Sequence, residues 1–171
     1  EQRPHRRSPA RDGRDEVGVR LRLRVAALAH VRAAFGRGEV LALDGRDVEL
    51  SLVKNPAGFR MGLLTAEQAV RARGPETVMI AINDEYADGR DMSWLWDVKF
   101  EDFGDTHVVA AGERATDLAV RLTYANIGHE LVHDPVKAIR ACPPGRVEVL
   151  ANYTALLNLR RALTKEEDYR A

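Results

Sequence analysis

The sequence has one cysteine, Cys142, among its 171 residues. That excludes an intrachain disulfide and a cysteine-built zinc ribbon, and it suits a reducing compartment. It has no surplus of charge: Lys and Arg together number 26, Asp and Glu together number 26, and the formal net charge is zero. Such a balance gives no overall electrostatic case for nucleic acid or for an anionic membrane. No apolar run approaches the roughly 20 residues of a transmembrane segment. The basic N-terminus lacks the apolar stretch of a secretion signal. No G-x-x-x-x-G-K-[ST] loop is present, so ATP phosphates are not held by that route. There is no internal repeat, and the chain does not begin with Met, as expected of a fragment or a trimmed chain.

What is present is enough apolar material for one packed domain, with 45% hydrophobic residues. Residues 1–16 are charged and nearly free of apolar side chains, which predicts a disordered basic tail. Apolar residues at helical spacing (Val25, Leu28, Val31, Phe35) predict a helix ending at Gly36. Residues 39–53 read as a hairpin turning at Asp44-Gly45. A loop at Lys54-Asn55-Pro56-Ala57-Gly58 and a helix from about Thr65 to Ala72 follow. The run TVMIAI predicts a buried strand over 77–83, and residues 97–100 a short one. Further strands are expected at 106–111, around Leu131-Val132 and at 147–150, with helices over 114–124, 135–141 and 153–163. Strands alternating with helices predict an α/β fold, a mostly parallel open sheet with helices on both faces. In such a sheet working residues gather beyond the C-terminal ends of the strands. The loops at Lys54–Gly58 and 84–96 are therefore the expected functional edge.

The second loop, DEYADGRDMSWLW, is crowded with carboxylates and holds both tryptophans, Trp94 and Trp96. Asp and Gly are ordinary turn formers and Trp packs readily, so a purely structural turn and a catalytic strand end are both open on the residues alone. His129-Glu-Leu-Val-His133 matches H-E-x-x-H, which in a zinc hydrolase needs a helix to bring both imidazoles to one ion. Asn126, Gly128 and Pro135 leave room only for a strand, on which the two His stand about 13 Å apart. Zinc is therefore the weaker reading, and no metal ligand is assigned. Cys142, in Ala-Cys-Pro-Pro-Gly, lacks a setting that would lower its pKa and reads as a structural thiol.

Four blocks, LVKNPAGF (52–59), INDEYADGRDMSWLWDVKFE (82–101), AGERATDLAVRLTYA (111–125) and NYTALLNLRRAL (152–163), occur in this order. Together they resemble the C-terminal domain of the MurT family, the Mur-ligase-like subunit of lipid II isoglutaminyl synthase. The likeness covers most of the chain, with Arg60 and Ala110 as departures from the family pattern. It implies a Mur-ligase C-terminal-domain-like, Rossmann-like fold over 39–171, with 17–38 a helical remnant of a preceding central domain or linker. It implies a part in a glutamine-hydrolysing amide ligase that converts the D-glutamate α-carboxylate of lipid II to D-isoglutamine in peptidoglycan synthesis. The implied setting is the cytoplasm, at the inner face of the membrane. ATP and Mg²⁺ serve the full family enzyme. The ATP-binding domain is absent from this sequence, so no cofactor and no activity are expected of the chain alone. The implied partner is a GatD-like glutaminase with a catalytic Cys and His. The resemblance puts the acid that completes its triad on Asp91, with Asp88 and Asp97 as fallbacks. Arg90, Trp94 and Trp96 are the candidate interface contacts, and Lys54 and Asn55 the candidate contacts to nucleotide or substrate. A free-standing, non-catalytic partner-binding module is the alternative.

Overall fold

The computed structural model describes residues 37–73, 77–103 and 106–170, all within the compact unit Ala33–Ala171. The tail expected over 1–16 and the helix expected to end at Gly36 lie outside the described residues.

Strands β1 (Arg37–Leu43) and β2 (Arg46–Leu52) form the expected antiparallel hairpin. Its turn places Asp44 at φ 49° and Gly45 at φ 77°. Both fall in the left-handed region that a two-residue turn between right-twisted strands requires, which Asp-Gly tolerates. Then come α1 (Pro56–Arg73), β3 (Thr77–Ala81), two 3₁₀ helices (Ser93–Asp97 and Phe100–Phe103) and β4 (His107–Ala111). Helix α2 (Ala115–Tyr124), β5 (His129–Leu131), α3 (Pro135–Ala141), β6 (Gly145–Ala151) and α4 (Tyr153–Arg170) complete the order. The sheet runs β1-β2-β6-β3-β4-β5. Every pairing but β1–β2 is parallel.

Alternation along the strands feeds two cores. Val78, Ile80 and Leu150 face a layer that includes Phe59 and Leu63 of α1, Leu95 and Phe100 of the 3₁₀ turns, and Leu118 of α2. Met79, Val109 and Val149 face Ile139 of α3 and Leu156 of α4. All five residues of β3 are buried, as a central strand covered on both faces must be. Ends are tied by polar pairs: Arg160 Nε of α4 meets both carboxylate oxygens of Glu39 at 3.0 and 2.8 Å. At the opposite edge Arg46 Nε donates to the Cys142 carbonyl at 2.8 Å.

Three expectations change. The helix expected from about Thr65 begins at Pro56. Asn55 Oδ1 accepts the Gly58 N–H at 2.8 Å and the Asn55 carbonyl accepts the Phe59 N–H at 2.9 Å. Asn55 thus caps the helix and Pro56 is its first residue, a position where the missing N–H costs nothing. The short strand expected at 97–100 is instead carried by 3₁₀ turns, because Val98 and Phe100 insert into the core with no strand beside them. The last helix runs seven residues past Leu163, to Arg170. Of the strand expected to carry both His129 and His133, β5 covers His129–Leu131, and His133 lies past its end in a bend before Pro135.

Candidate functional site

Five parallel strands end on one edge, so the loops after β2, β3, β4, β5 and β6 meet there. Both loops expected to carry function lie on it. The base of the β3 loop is a buried amide clasp. Asn83 N–H donates to Asn152 Oδ1 at 3.0 Å, and Asn152 Nδ2 donates to the Asn83 carbonyl at 2.6 Å. Asn83 Nδ2 reaches Thr154 Oγ1 at 3.3 Å, while Asn83 Oδ1 accepts the Glu113 N–H at 3.1 Å. Two buried amides with their polar atoms engaged fix three chain segments in one register. Gly112 presses on the same place. Its φ is 91°, and a Cβ there would stand 2.4 Å from the Ile82 carbonyl oxygen. The sequence alone gives no role to Asn83, Gly112, Asn152 or Thr154, although the second, third and fourth blocks of the resemblance contain all four.

Above the clasp the two acids of Asp-Gly-Arg-Asp part ways. Asp88 Oδ1 accepts the Thr154 N–H at 2.9 Å, and Asp88 Oδ2 accepts the Thr154 hydroxyl. It closes the first turn of α4 and complements the helix dipole. Gly89, at φ 82°, turns the chain outward. Asp91 is exposed, and its Oδ1 accepts the Ser93 N–H at 2.9 Å. The Ser93 backbone N–H, then its side chain, hold the Asp91 carboxyl below the ordinary aspartate range, so it is ionised at neutral pH. Asp97 is exposed at the end of the first 3₁₀ helix.

The tryptophans also differ. Trp94 is half-buried and tilts against Phe59 with ring centroids 5.9 Å apart. Trp96 is 54% exposed and meets Tyr124 edge to face at 5.4 Å. Beneath it lies Arg121, only 6% exposed, with its guanidinium 5.6 Å from the Trp96 ring and 5.2 Å from Phe100. Arg121 Nη2 donates to the Val98 carbonyl at 2.6 Å and to Glu101 Oε1 at 3.1 Å, so this buried cation is paired. Arg90, Asp91 and Trp96 share an open groove of about 380 Å³ with Arg114 and Asp117. Arg114 bridges Asp84 at 3.3 Å and Asp117 at 2.9 Å.

Lys54 is exposed on the same edge, its Nζ 5.8 Å from the Tyr153 ring centroid. Asn55 is exposed beside it and spends its Oδ1 on the α1 cap. The two His of the HELVH string serve separate carbonyls: His129 Nδ1 lies 2.9 Å from the Ile127 oxygen and His133 Nδ1 3.4 Å from the Gly112 oxygen. Among the described residues no group of three His, Cys, Asp or Glu side chains could hold a metal ion. No described helix is long and apolar enough to cross a membrane. Cys142 is buried, its Sγ 3.1 Å from the Ala138 carbonyl, and burial pushes its thiol pKa up. A second groove, of about 390 Å³, lies between the start of α3 and α4, bordered by Glu113, His133, Asn158 and Leu159.

A protein-family model described as MurT ligase C-terminal matches residues 52–156. The chain belongs to the MurT ligase C-terminal family. The matched span of this MurT-type domain runs from the end of β2 into α4 and includes each candidate residue from Lys54 to Thr154. The chain is 31% identical over 145 residues to the lipid II isoglutaminyl synthase (glutamine-hydrolyzing) subunit MurT of Streptococcus pneumoniae, which covers 80% of this chain and 32% of that one. It is 30% identical over 137 residues to the subunit of the same description from Staphylococcus aureus, covering 76% and 31%. The chain thus spans about a third of the length of the curated relatives it matches. Its fold is similar to that of the UDP-N-acetylmuramate-alanine ligase MurC of Thermotoga maritima, with a TM-score of 0.52 at 14% identity over 92% of this chain and 35% of that one. It is also similar to folylpolyglutamate synthase of the same organism, with a TM-score of 0.50 at 20% identity over 77% and 31%. These likenesses establish the α/β fold of the MurT-type domain.

Proposed function

We propose that this domain serves an ATP-dependent, glutamine-hydrolysing ligase that amidates the D-glutamate α-carboxylate of lipid II, by docking a GatD-like glutaminase and supplying its triad acid, Asp91. The observation that carries the proposal is the placement of Asp91. It is an ionised, exposed carboxylate on a loop whose base is clamped by buried amides, whereas Asp88 is consumed by the α4 cap. A glutaminase Cys attacks the glutamine amide carbon once a His has taken its proton, and the same His returns the proton to the leaving ammonia. The imidazole must hold one tautomer and pass through its cation, and a rigid carboxylate at the other ring nitrogen does both. The Ser93 N–H fixes one oxygen of Asp91 and leaves the second to accept from an incoming imidazole.

Under this reading ATP and Mg²⁺ serve the remainder of the longer ligase subunit, with Lys54 the contact this domain could offer to a phosphate. The released ammonia attacks the activated α-carboxylate there, at the inner face of the membrane. The test uses the full-length ligase subunit saturated with its glutaminase. Asp91→Asn keeps the shape and loses the charge, and the expected result is a fall in glutamine hydrolysis of about 10² or more. A full rate in the saturated variant complex overturns the acid role and leaves a partner-binding module without chemistry.

A further inference from the structure

We infer that the apolar anchor of the glutaminase interface is a stripe on α2, Val120 and Tyr124 with Trp96 beside it, rather than Trp94; this rests on the partner reading above. Helix α2 buries Ala115, Leu118, Ala119 and Leu122 against the sheet. Asp117, Val120 and Tyr124, three and four residues apart, form a second stripe that the domain leaves uncovered. Val120 is 45% exposed and Tyr124 75% exposed. Amphipathic helices do not place a large aromatic and a β-branched residue on their water face for stability, and clustered apolar exposure of this kind marks contact surfaces.

Three observations single out the glutaminase as the occupant. The stripe is continuous with the acid: Val120, Asp117 and Trp96 line the same groove as Asp91 and Arg90. A protein seated on the stripe is thereby brought to the carboxylate its His needs. The other exposed large apolar side chains described, Val40, Met61, Leu64, Leu131, Tyr86 and Tyr153, line no part of that groove. Second, the groove's lining is sorted as in a protein interface, with Trp96 and Val120 as its exposed apolar members and Arg90, Arg114 and Asp117 as a mixed-sign set around them. Third, Trp96 is already ordered: Tyr124 braces one edge and Arg121, itself bonded to Val98 and Glu101, lies against its ring. A rigid anchor loses little entropy on binding. Trp94 lacks this freedom to contribute, since its ring packs against Phe59 inside the domain.

The experiment measures the dissociation constant of the full-length ligase subunit and its wild-type glutaminase by calorimetry, with no turnover. Tyr124→Ala is expected to raise Kd about tenfold, and Val120→Asp, which puts a charge into the dry centre, about 100-fold. Arg71→Ala, on the exposed side of α1, is the control and leaves Kd as it was. Melting temperatures check folding, and Val120→Asp decides if Tyr124→Ala is unstable. Wild-type Kd in both folded variants overturns the inference. So does a self-associating ligase subunit that Val120→Asp dissociates without changing glutaminase affinity, since the occupant is then a second copy. A slowed Asp91→Asn complex with unaffected stripe variants leaves the triad reading standing and removes this one. The reverse pattern removes the triad reading alone. Absence of wild-type binding removes both.

Discussion

The loop after β3 uses the same residue types in opposite ways on either side of Gly89 and within its tryptophan pair. Asp88 turns inward to cap α4, and Asp91 turns outward, held by the N–H and side chain of Ser93. Trp94 fills space beside Phe59, and Trp96 stands on the surface beside Tyr124. The difference teaches that the inward members make the outward members useful. A carboxylate on an unanchored loop would sample many positions, and only the buried clasp below turns exposure into aim.

The comparison breaks most completely at its root. Gly112→Ala forces a Cβ onto the Ile82 backbone and a side chain into a left-handed conformation. A loss on the order of 3 kcal/mol or more is expected, read from the urea midpoint. Next, Trp94→Ala is expected to cost about 2–3 kcal/mol, less than a fully buried ring would, and Trp96→Ala under about 1 kcal/mol. Equal midpoints for the two would erase the inward–outward distinction. Asp88→Ala is expected to cost about 1–2 kcal/mol through the lost α4 cap, whereas Asp91→Ala leaves the midpoint in place.

The smallest effect is electrostatic. Asp91 should titrate below the 3.8 of an unperturbed aspartate, as followed by carboxyl carbon shifts in NMR. Because the folded value is the lower one, whatever this group adds to stability is complete above the unfolded value and fades as pH falls through the folded one. Ser93→Ala should raise the value only part of the way, since the backbone N–H, the larger cause, remains. A wild-type value at or above 3.8 would mean the carboxylate is not held.

Patterns that are local were legible. The apolar run of β3 gave a strand, Asp44-Gly45 gave a hairpin, and Asn126, at φ 58°, ended α2. The α1 start was hidden because Asn-Pro-Ala-Gly spells both a turn and a helix beginning. Only the bonds from Asn55 to Gly58 and Phe59 decide between them. The stretch 97–100 misled for a related reason: alternating apolar residues fit a strand, but here they bury one by one from 3₁₀ turns beneath Arg121. In the candidate site the acids and tryptophans stood out by type, but their division into inner and outer members did not. Asn83 and Asn152 are 69 positions apart, and a lone Asn carries no mark of a distant partner. The exposed face of α2 was likewise masked, since the spacing that revealed its buried side drew attention away from Val120 and Tyr124.

The order of the strands sets a schedule for the making of this domain. β6, the last of the described strands, lies between β2 and β3, and within the described sheet the β1–β2 hairpin pairs with the β3–β4–β5 part through it. Until a ribosome has made the residues from Gly145 onward, β2 and β3 lack the neighbour they pair with in the finished sheet, and each keeps an open edge. Such edges invite wrong partners, including copies of themselves, and closing the distant β2–β6 register is slow. The hazard is therefore one of birth rather than of working life. A chaperone that shields β2 and β3 until β6 slots between them would do more for the yield of this domain than strengthening a contact in the finished sheet.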